Sequence, residues 1–429
     1  MAANRNGAGN APANPLLKTA AEVASAPGLR ECLQFFSREK QWINDQHLQL
    51  CRVPAPTFFE QKRAEWMQRQ FASLGCDASV DRGGNVIAFP HGKAGGPLIA
   101  ITAHLDTVLA PRNSETEVTW GPDGRFHGPG VSDNGAGLAA LLALAAALRS
   151  CDESIAGAAA ASIVFIANVG EEGEGNLGGM RYLCRQSPLA DRFAAFLVLD
   201  GPGTDHITCQ ALASRRFDVT ISGPGGHSWS DYGIGNPVHA LSRAIALFAD
   251  TPLHSNGGPR SSFNFGIVEG GLSINSIPTS ARTKLDIRSE SPHKLDDLSL
   301  ALTNCVERAV EMENDRATGG RVTALVREIG SRPGGRLAND APILNALRAV
   351  DAQLGIRAQI DCASTDANIP LSLGLQAVSI GAGGLGGGAH TPAEWYSPER
   401  RELGLRRVLL ALALLLRSLP LPVAAGTAE

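Results

Sequence analysis

Four short apolar runs constrain the fold of this chain more than any other feature of its sequence. They cover residues 97–103, 161–169, 195–199 and 377–380, and each has the length of one strand buried on both faces. A helix-like stretch at 137–149 separates the first two runs, so strand and helix patterns alternate. We therefore predict an α/β domain with a mostly parallel sheet.

The segment from about residue 216 to 328 has a different order of elements. Its patterns read strand, helix, strand, strand, helix, strand, which is the ferredoxin-like β-α-β-β-α-β order. Apolar patterns of the first kind resume after Gly334, so we expect an inserted domain. The expected organisation is a disordered leader (1–28), the first part of a main domain (29–214), the insertion (215–330), the second part of the main domain (331–420) and a flexible tail (421–429).

Composition excludes several classes of partner. The 429 residues carry 38 basic and 42 acidic side chains spread along the chain, which gives no electrostatic footprint for nucleic acid. The eight cysteines form no CxxC pair, so they indicate neither a thiolate zinc knuckle nor a disulfide framework. The N-terminus lacks a secretory pattern, and the apolar run at 408–416 is far short of the ~20 residues of a membrane span. We expect a cytoplasmic protein without nucleic-acid or membrane partners.

Ionisable residues follow the apolar runs at the points where the strands should end. Ligand sites in open α/β sheets gather at the carboxyl ends of the strands, so we expect these side chains to lie close together. They are His104 and Asp106 after the first run, Glu171 and Glu172 after the second, Asp200 after the third, and His390 in the last region.

A metal ion explains this pattern better than separate structural roles do. A lone histidine after an apolar strand is more often a core or rim residue than a ligand. Several carboxylates at one apolar mouth would, however, raise one another's pKa unless a cation compensates them. A mixture of histidine and carboxylate without cysteine suits zinc, with cobalt or manganese as substitutes.

Two further elements have open alternatives. Asp133 lies in a glycine-rich turn at 128–137, where it is equally an N-capping residue or a ligand. A phosphate cradle is the weaker option, because the turn lacks the Gly-Lys-Ser/Thr ending of a P-loop. In the pair Glu171-Glu172, one residue can bind metal while the other activates water, although such pairs are often simply solvated. Of the nearby glutamates, Glu174 is the one that we expect to lie in solvent.

In this order the motifs resemble those of the di-zinc peptidase and deacylase family that includes peptidase T, glutamate carboxypeptidase, acetylornithine deacetylase and succinyl-diaminopimelate desuccinylase. The resemblance is closest to peptidase T-like members and covers the chain from about Leu29. The motifs are Ala103-His104-Leu105-Asp106-Thr107, Gly130-Val131-Ser132-Asp133-Asn134, Gly170-Glu171-Glu172-Gly173, Leu199-Asp200-Gly201, Gly226-His227-Ser228 and His390-Thr391.

The resemblance implies a role for each matching residue of the main domain, which would be catalytic. His104 and Asp200 would hold one zinc ion, Glu172 and His390 a second, and Asp133 would bridge both. It also implies a cis peptide bond after Asp133. Two catalytic roles complete the set: Asp106 would orient the ring of His104, and Glu171 would be the general base.

The insertion would be a lid and dimerisation domain. By resemblance His227 reaches the partner subunit's active site in a homodimer, although sequence alone favours a turn histidine there. Asn275 and Arg288 resemble lid residues that contact the substrate, and for Arg288 a surface charge at a strand edge is as reasonable. The chain departs from the usual lid motif at Trp229–Gly233, so the resemblance does not predict the details of the lid or of the rim of the substrate site.

The expected activity is hydrolysis of an amide bond in a short peptide, as in a peptidase T-like aminopeptidase or dipeptidase. In the family, members that act on short peptides with a free amine tend to carry aspartate at the position of Asp200. The alternative is an N-acyl-amino-acid amidohydrolase, deacetylase or carboxypeptidase. A non-catalytic binding protein is a third reading, which Glu171 disfavours because a binding module needs no base beside its metal ions.

Overall fold

The computed structural model of the chain describes residues 15–90, 96–149, 163–252 and 258–418. The chain divides into two compact units. The first contains the chain up to Cys209, Leu337–Asp361 and the part from Thr365 onward, and the second contains Gln210–Arg336 with Cys362–Ser364. The second unit is longer at both ends than the insertion expected at 215–330.

The helices and strands of the described residues are as follows. The helices are α1 Pro15–Ser25, α2 Pro27–Arg38, α3 Lys40–Cys51, α4 Gln61–Ser73, α5 Ser114–Glu117, α6 Gly135–Arg149, α7 Gly178–Arg185, α8 Pro237–Ala249, α9 Pro292–Arg316, α10 Pro342–Leu354, α11 Asn368–Ser372 and α12 Arg401–Ser418. The strands are β1 Asp77–Val80, β2 Val86–Phe89, β3 Leu98–His104, β4 Thr119–Trp120, β5 Phe126–His127, β6 Ile163–Asn168, β7 Phe193–Leu199, β8 His206–Ala211, β9 Ala213–Ser222, β10 Gly226–His227, β11 Ser261–Gly270, β12 Ser276–Ile277, β13 Ser280–Ser289, β14 Thr323–Arg332, β15 Gly335–Arg336, β16 Gln359–Ala363, β17 Gln376–Ile380, β18 Leu385–Gly387 and β19 Trp395–Ser397.

A mixed sheet with the strand order β1-β2-β6-β3-β7-β17-β8 forms the centre of the first unit. Its four middle strands, β6, β3, β7 and β17, run parallel, whereas β2 and β8 pair with them in the antiparallel direction. Every residue of β3 and β6 is buried, which explains why these strands read as continuous apolar runs. The predicted α/β class with a mostly parallel sheet is confirmed.

Helix α6 is buried along its whole length up to Leu148. It is apolar all round because it contacts β3, β6 and β7 as well as α2, α3 and α12. Gly137 allows its first turn to approach the sheet closely, since a Cβ there would lie 2.8 Å from the carbonyl oxygen of Leu199 and 3.0 Å from Cβ of Ala103. The start of α6 is therefore held at the carboxyl ends of β3 and β7.

A smaller antiparallel sheet with the order β18-β19-β5-β4 also belongs to the first unit. Strand β5 leads into the loop that carries Asp133, and β18 leads into the loop that carries His390. Because β5 pairs with β19, with Trp395 opposite His127, this sheet sets the two loops side by side.

Several features of the first unit differ from the sequence expectations. Helix α1 begins at Pro15 within the segment expected to be a disordered leader, and it buries Ala20 and Val23. Residues 1–14 and the expected tail at 421–429 lie outside the described residues. Cys32 is disulfide-bonded, a bond that the cysteine spacing did not indicate. Among the described residues, no helix combines the length and apolarity needed to cross a membrane.

The second unit has the ferredoxin-like order predicted from its patterns. Strands β9, β11, β13 and β14 form an antiparallel sheet in the order β11-β13-β9-β14, and α8 and α9 pack against it. Both helices begin at a capping side chain: Asn236 accepts main-chain N–H groups at the start of α8, and Ser291 does so for α9. The helices and the sheet enclose an apolar core that includes Ile221, Phe248 and Leu302.

Candidate active site

Ionisable residues follow three neighbouring parallel strands of the first unit. His104 is the last residue of β3, Asp200 follows β7 directly, and Glu171 and Glu172 follow β6 after a short turn. Parallel strands that pair in register end at the same edge of the sheet, and His104 is indeed paired with Asn168 at the end of β6. The sheet itself therefore brings these side chains to one place.

Asp133 lies between two histidines at this edge. Its Oδ1 lies 3.0 Å from Nε2 of His104, and its Oδ2 lies 3.1 Å from Nε2 of His390. The peptide bond between Asp133 and Asn134 is cis, as the resemblance implies. The Asn134 side chain donates a hydrogen bond of 2.8 Å to the carbonyl oxygen of Leu199, which ties the turn to the end of β7.

Two sets of three side chains share Asp133. One set is Asp133, His104 and Asp200, and the other is Asp133, Glu172 and His390; within each set the ligand atoms lie within 4.8 Å of one another. Nε2 of His390 is 2.9 Å from Oε1 of Glu172, and Nε2 of His104 is 4.0 Å from Oδ1 of Asp200. The structure thus brings together all five residues that the sequence analysis names as metal ligands.

The ring of His104 is held by the main chain. Its Nδ1 lies 2.9 Å from the carbonyl oxygen of Asp106 and 3.5 Å from Oδ1 of the same residue. Because a carbonyl oxygen only accepts, Nδ1 carries a proton and Nε2 is the ring atom available to a cation. The main-chain carbonyl of Asp106 is therefore the closer partner of the ring, and the carboxylate that the resemblance assigns to this task lies 3.5 Å from the same nitrogen.

The carboxylate of Asp106 also binds the main chain of the two glutamates. It is fully buried; its Oδ1 accepts the N–H of Glu171 at 3.0 Å, and its Oδ2 accepts the N–H of Glu172 at 2.9 Å. Oδ2 also accepts the Thr57 hydroxyl at 3.0 Å. Burial raises the pKa of Asp106, but hydrogen bonds from His104 and from these N–H groups outweigh burial and lower it. Asp106 is thus an ionised anchor for the main chain of both glutamates.

Glu171 is buried beside the ligand sets without belonging to either. It is 6% exposed, and a carboxylate oxygen of Glu171 lies within 4.8 Å of the ligand atoms of His104 and Glu172. The neighbouring residue Glu172 points into the set with His390. Glu171, His104 and Glu172 form a third group of possible ligand atoms, so the division of roles between the two glutamates stays a prediction.

Burial and mutual repulsion shift the pKa values of the ionisable groups in the site. Burial raises the pKa of Asp200 well above its ordinary value, and the charge of Asp133 raises it further. Burial also raises the pKa of Glu172 to about 7. For Asp133, hydrogen bonds from His104 and His390 outweigh burial and lower the pKa. The hydrogen bond to Asp133 raises the pKa of His390 to about 9, against the effect of burial.

A divalent cation fits these residues. Each ligand set combines imidazole nitrogen with carboxylate oxygen, which is the donor chemistry of zinc and of the metals that replace it. A cation between the facing atoms would interact favourably with every member of the set and remove the mutual repulsion of the carboxylates.

Two of the predicted substrate-binding residues lie together in the second unit. His227 is exposed on β10, and its Nδ1 accepts the N–H groups of Trp229 at 3.2 Å and Ser230 at 3.3 Å. In the neutral ring the proton is therefore on Nε2. Asn275 is adjacent, since its carbonyl oxygen accepts the N–H of Ser228 at 3.0 Å.

Arg288 is separated from this pair. It lies near the end of β13, whereas His227 is paired with Ser276, ahead of the start of that strand. Its Nε donates to Oδ2 of Asp286 at 2.7 Å. The structure therefore brings together His227 and Asn275, and places Arg288 elsewhere in the same unit.

The sequence profile of the family described as Peptidase family M20/M25/M40 matches residues 100–414, which include every residue of the site. The chain belongs to this family. The resemblance drawn from the motifs is thereby confirmed, and the ferredoxin-like unit is consistent with the architecture of M20 proteins.

Named relatives of this M20/M25/M40 protein have several activities. It is 30% identical over 254 residues to a probable carboxypeptidase of Aspergillus terreus, covering 55% of this chain and 53% of the relative. It is 26% identical over 283 residues to a succinyl-diaminopimelate desuccinylase of Bradyrhizobium sp., covering 62% of this chain and 69% of the relative. The chain spans about half the length of most curated relatives that it matches.

The fold is shared with a tripeptidase of Staphylococcus aureus, with a TM-score of 0.71. The two chains are 20% identical, and the superposition covers 88% of this chain and 98% of the tripeptidase. At this level of identity the likeness shows a common M20 fold.

Sequence reasoning missed two buried carboxylates of the M20 site. Glu394 accepts N–H groups of the loop that carries Asp133, and Oδ2 of Asp366 accepts the Asn168 side chain at 2.6 Å. Burial and the charge of Glu171 raise the pKa of Asp366 to about 7.

The signals for these two residues were weak. Asp366 follows β16, but that strand is largely exposed and so gives no apolar run that would mark a strand end. Glu394 lies four residues after His390 in the printed sequence, and this proximity to a predicted ligand was the only available clue.

Proposed function

We propose that this protein is a metal-dependent hydrolase that cleaves an amide bond in a short peptide or an acylated amino acid. The observation that carries the proposal is the sharing of Asp133 by two ligand sets, with Glu171 beside them. His104 and Asp200 would hold one ion and Glu172 and His390 the other. Zinc is the ion that this donor set favours, with cobalt or manganese as substitutes.

Each group in the site then has a chemical task. When bound, the two ions would lower the pKa of a water molecule and polarise the scissile carbonyl. Glu171 would take the proton from that water and pass it to the nitrogen of the leaving amine. Asp106 would keep the main chain of Glu171 in place through the hydrogen bond of 3.0 Å.

The second unit would contribute to substrate binding in a homodimer. The Nε2–H of His227 is suited to donate a hydrogen bond to the oxygen that becomes negative during attack. Arg288 offers a planar fork for a carboxylate, and Asn275 a polar contact. Arg288 lies eight residues beyond the start of β13. At a rise of about 3.3 Å per residue, the distance along the strand is roughly 26 Å. This separation supports a site that takes His227 from one subunit and Arg288 from the other.

The substrate proposal favours short peptides with a free amine, as in a peptidase T-like aminopeptidase or dipeptidase. Its support is the aspartate at position 200 together with the fold shared with a tripeptidase. The second candidate is an N-acyl-amino-acid amidohydrolase or a carboxypeptidase. The similarity to carboxypeptidases and to a desuccinylase supports that candidate.

The experiment combines metal analysis with a substrate panel. The purified protein should contain zinc or bind it, and should hydrolyse a tripeptide, a dipeptide or an N-acetyl-amino acid; blocking either terminus of the best substrate identifies the recognised end. Protein that binds no metal, or that binds it and cleaves nothing in the panel, would refute the proposal.

A variant pair tests the base. Glu171→Gln should retain metal and lose a factor of about 10²–10⁴ in turnover, the usual contribution of a positioned proton transfer. Glu174→Gln is the matched control, because it makes the same change at an exposed position three residues away. Turnover of Glu171→Gln close to that of the control would remove Glu171 as the base.

A further inference from the structure

The loop at residues 128–134, here called the Asp133 loop, connects β5 to α6. Three of its N–H groups converge on one carboxylate, that of Glu394. Oε2 of Glu394 accepts the N–H of Gly130 at 2.7 Å, and Oε1 accepts those of Ser132 at 2.8 Å and Asp133 at 2.9 Å. The convergence depends on the loop shape, which includes Gly130 at a φ of 73°.

Glu394 is itself fixed in place. It is 3% exposed and lies between β18 and β19, on the same loop as His390. Its carbonyl oxygen accepts the N–H of Gly128 at 3.1 Å, so main chain and side chain both bind the Asp133 loop. The residue therefore connects the loops that carry Asp133 and His390, whose side chains face each other in one ligand set.

The carbonyl groups of the loop are held from the other side. Nε2 of His47 lies 2.7 Å from the carbonyl oxygen of Val131, and Nδ1 of His47 lies 2.7 Å from Nη2 of Arg401. Arginine only donates, so Nδ1 accepts and Nε2 is the nitrogen that donates to Val131. The carbonyl oxygen of Gly130 accepts the N–H of Gly135 at 2.8 Å. Both the N–H groups and the carbonyl groups of the Asp133 loop are therefore hydrogen-bonded to other protein groups.

We propose that Glu394 is a positioning residue that sets the place of Asp133 for both metal ions. The inference rests on the proposed function, because it assigns Asp133 as the shared ligand. An ionised carboxylate is suited to holding the Asp133 loop, since its two oxygens can accept hydrogen bonds from three N–H groups at once. A glutamine at this position would turn its NH₂ group toward either Gly130 or the Ser132-Asp133 pair, so one donor would face another. The loop would shift, and Asp133 with it.

Cobalt binding to the metal-free protein tests this role. Wild type, Glu394→Gln and the control Glu399→Gln are titrated with Co²⁺, and the visible absorption of the bound ion reports both affinity and coordination geometry. Glu399 is exposed and lies five residues from Glu394, and its main-chain N–H donates a hydrogen bond to Oγ of Ser397. We expect Glu394→Gln to bind Co²⁺ roughly 10–100-fold more weakly with an altered spectrum, as is typical when a supporting hydrogen bond to a ligand is lost. Glu399→Gln should match wild type.

Each outcome decides the proposal. Wild-type affinity and spectrum in Glu394→Gln would overturn the positioning role and leave the proposed function intact. A wild type that binds no Co²⁺ would overturn the proposed function and this inference with it. Glu394→Asp is the second variant, because it keeps the charge but is shorter by one methylene and cannot span all three N–H groups. If thermal unfolding shows that both variants are unfolded without metal, Glu394 is a structural residue and the proposal is wrong.

Discussion

Replacing Asp106 with asparagine should weaken both the fold of the first unit and turnover. The Asp106 carboxylate is fully buried and accepts three hydrogen bonds, from the N–H groups of Glu171 and Glu172 and from the hydroxyl of Thr57. Asparagine has one acceptor oxygen in place of two. If that oxygen keeps the bonds to Glu172 and Thr57, the NH₂ group meets the N–H of Glu171.

The magnitude follows from these bonds. A buried N–H left unpaired costs about 1–3 kcal/mol, and each of the two remaining bonds loses about 1 kcal/mol when its acceptor is no longer charged. Removing a buried charge also removes its desolvation penalty, which offsets part of the loss. We expect a net destabilisation of about 2–3 kcal/mol in the metal-free protein. Because the main chain of Glu171 moves, turnover should fall about 10²-fold, the effect of a misplacement near 1 Å.

Urea denaturation of the metal-free protein and turnover of the metal-loaded protein measure the two effects. Asp123→Asn is the control, because Asp123 is a 44% exposed carboxylate whose side chain contacts the half-buried His127. A loss of stability under about 0.5 kcal/mol, the range of ordinary surface substitutions, would refute the reasoning about the hydrogen bonds. Unchanged turnover in a destabilised variant would refute the link between Asp106 and the position of Glu171.

Three further predictions concern other parts of the chain. Asp351 and Arg407 form a buried bidentate ion pair between α10 and α12, with both N–O distances 2.7 Å. Asp351→Asn should therefore lower the free energy of unfolding by about 3–5 kcal/mol, and a loss below about 1 kcal/mol in urea denaturation would contradict this. A hydrogen bond from Arg282 is the largest factor that lowers the pKa of Asp218 to about 2, below the unfolded value of about 3.9. The stabilisation is therefore present above pH 4 and lost as the pH falls through 2. Screening of the exposed arginines limits it to about 1–2 kcal/mol, and Asp218→Asn should abolish this part of the pH dependence of stability. His227→Ala should lower turnover about 10²–10³-fold without loss of metal, as expected for an oxyanion donor; an unaffected rate rejects that role.

The sequence predicted those parts of the site that depend on the sheet. His104 and Asp200 end or follow strands that are buried on both faces, and such strands leave a visible signal as continuous apolar runs. The carboxyl ends of parallel strands meet at one edge, so the residues after them can be placed without knowing any side-chain contact. Asp133 needed the ordered motifs as well, because a glycine-rich turn with an aspartate is also an ordinary way to begin a helix.

Other features could not be predicted because tertiary contacts alone select them. Helix α1 is short, and a helix of that length is stable only when it packs. Besides its neighbour α2 it contacts α10 and α12, which lie far away in the sequence. For Asp106 the residue was found but its partners were not, since they are main-chain N–H groups that any residue provides. The same holds for Glu394: a carboxylate that binds backbone leaves no pairing pattern in the sequence.

The site therefore depends on two kinds of support, and they should act on the metal ions differently. Glu394 supports Asp133, which belongs to both ligand sets. The carboxylate of Asp106 binds the main chain of Glu172, which belongs to one of the two sets, at 2.9 Å, and lies farther, at 3.5 Å, from His104 of the other set. A shift of Asp133 should weaken both ions together, and a shift of Glu172 should weaken one and leave the other. Metal titration of Glu394→Gln and Asp106→Asn side by side separates these cases: a shared loss in the first and a single loss in the second. Equal losses in both variants would show that the two ligand sets respond as one unit, and that the supports at the strand ends and at the loops are not independent.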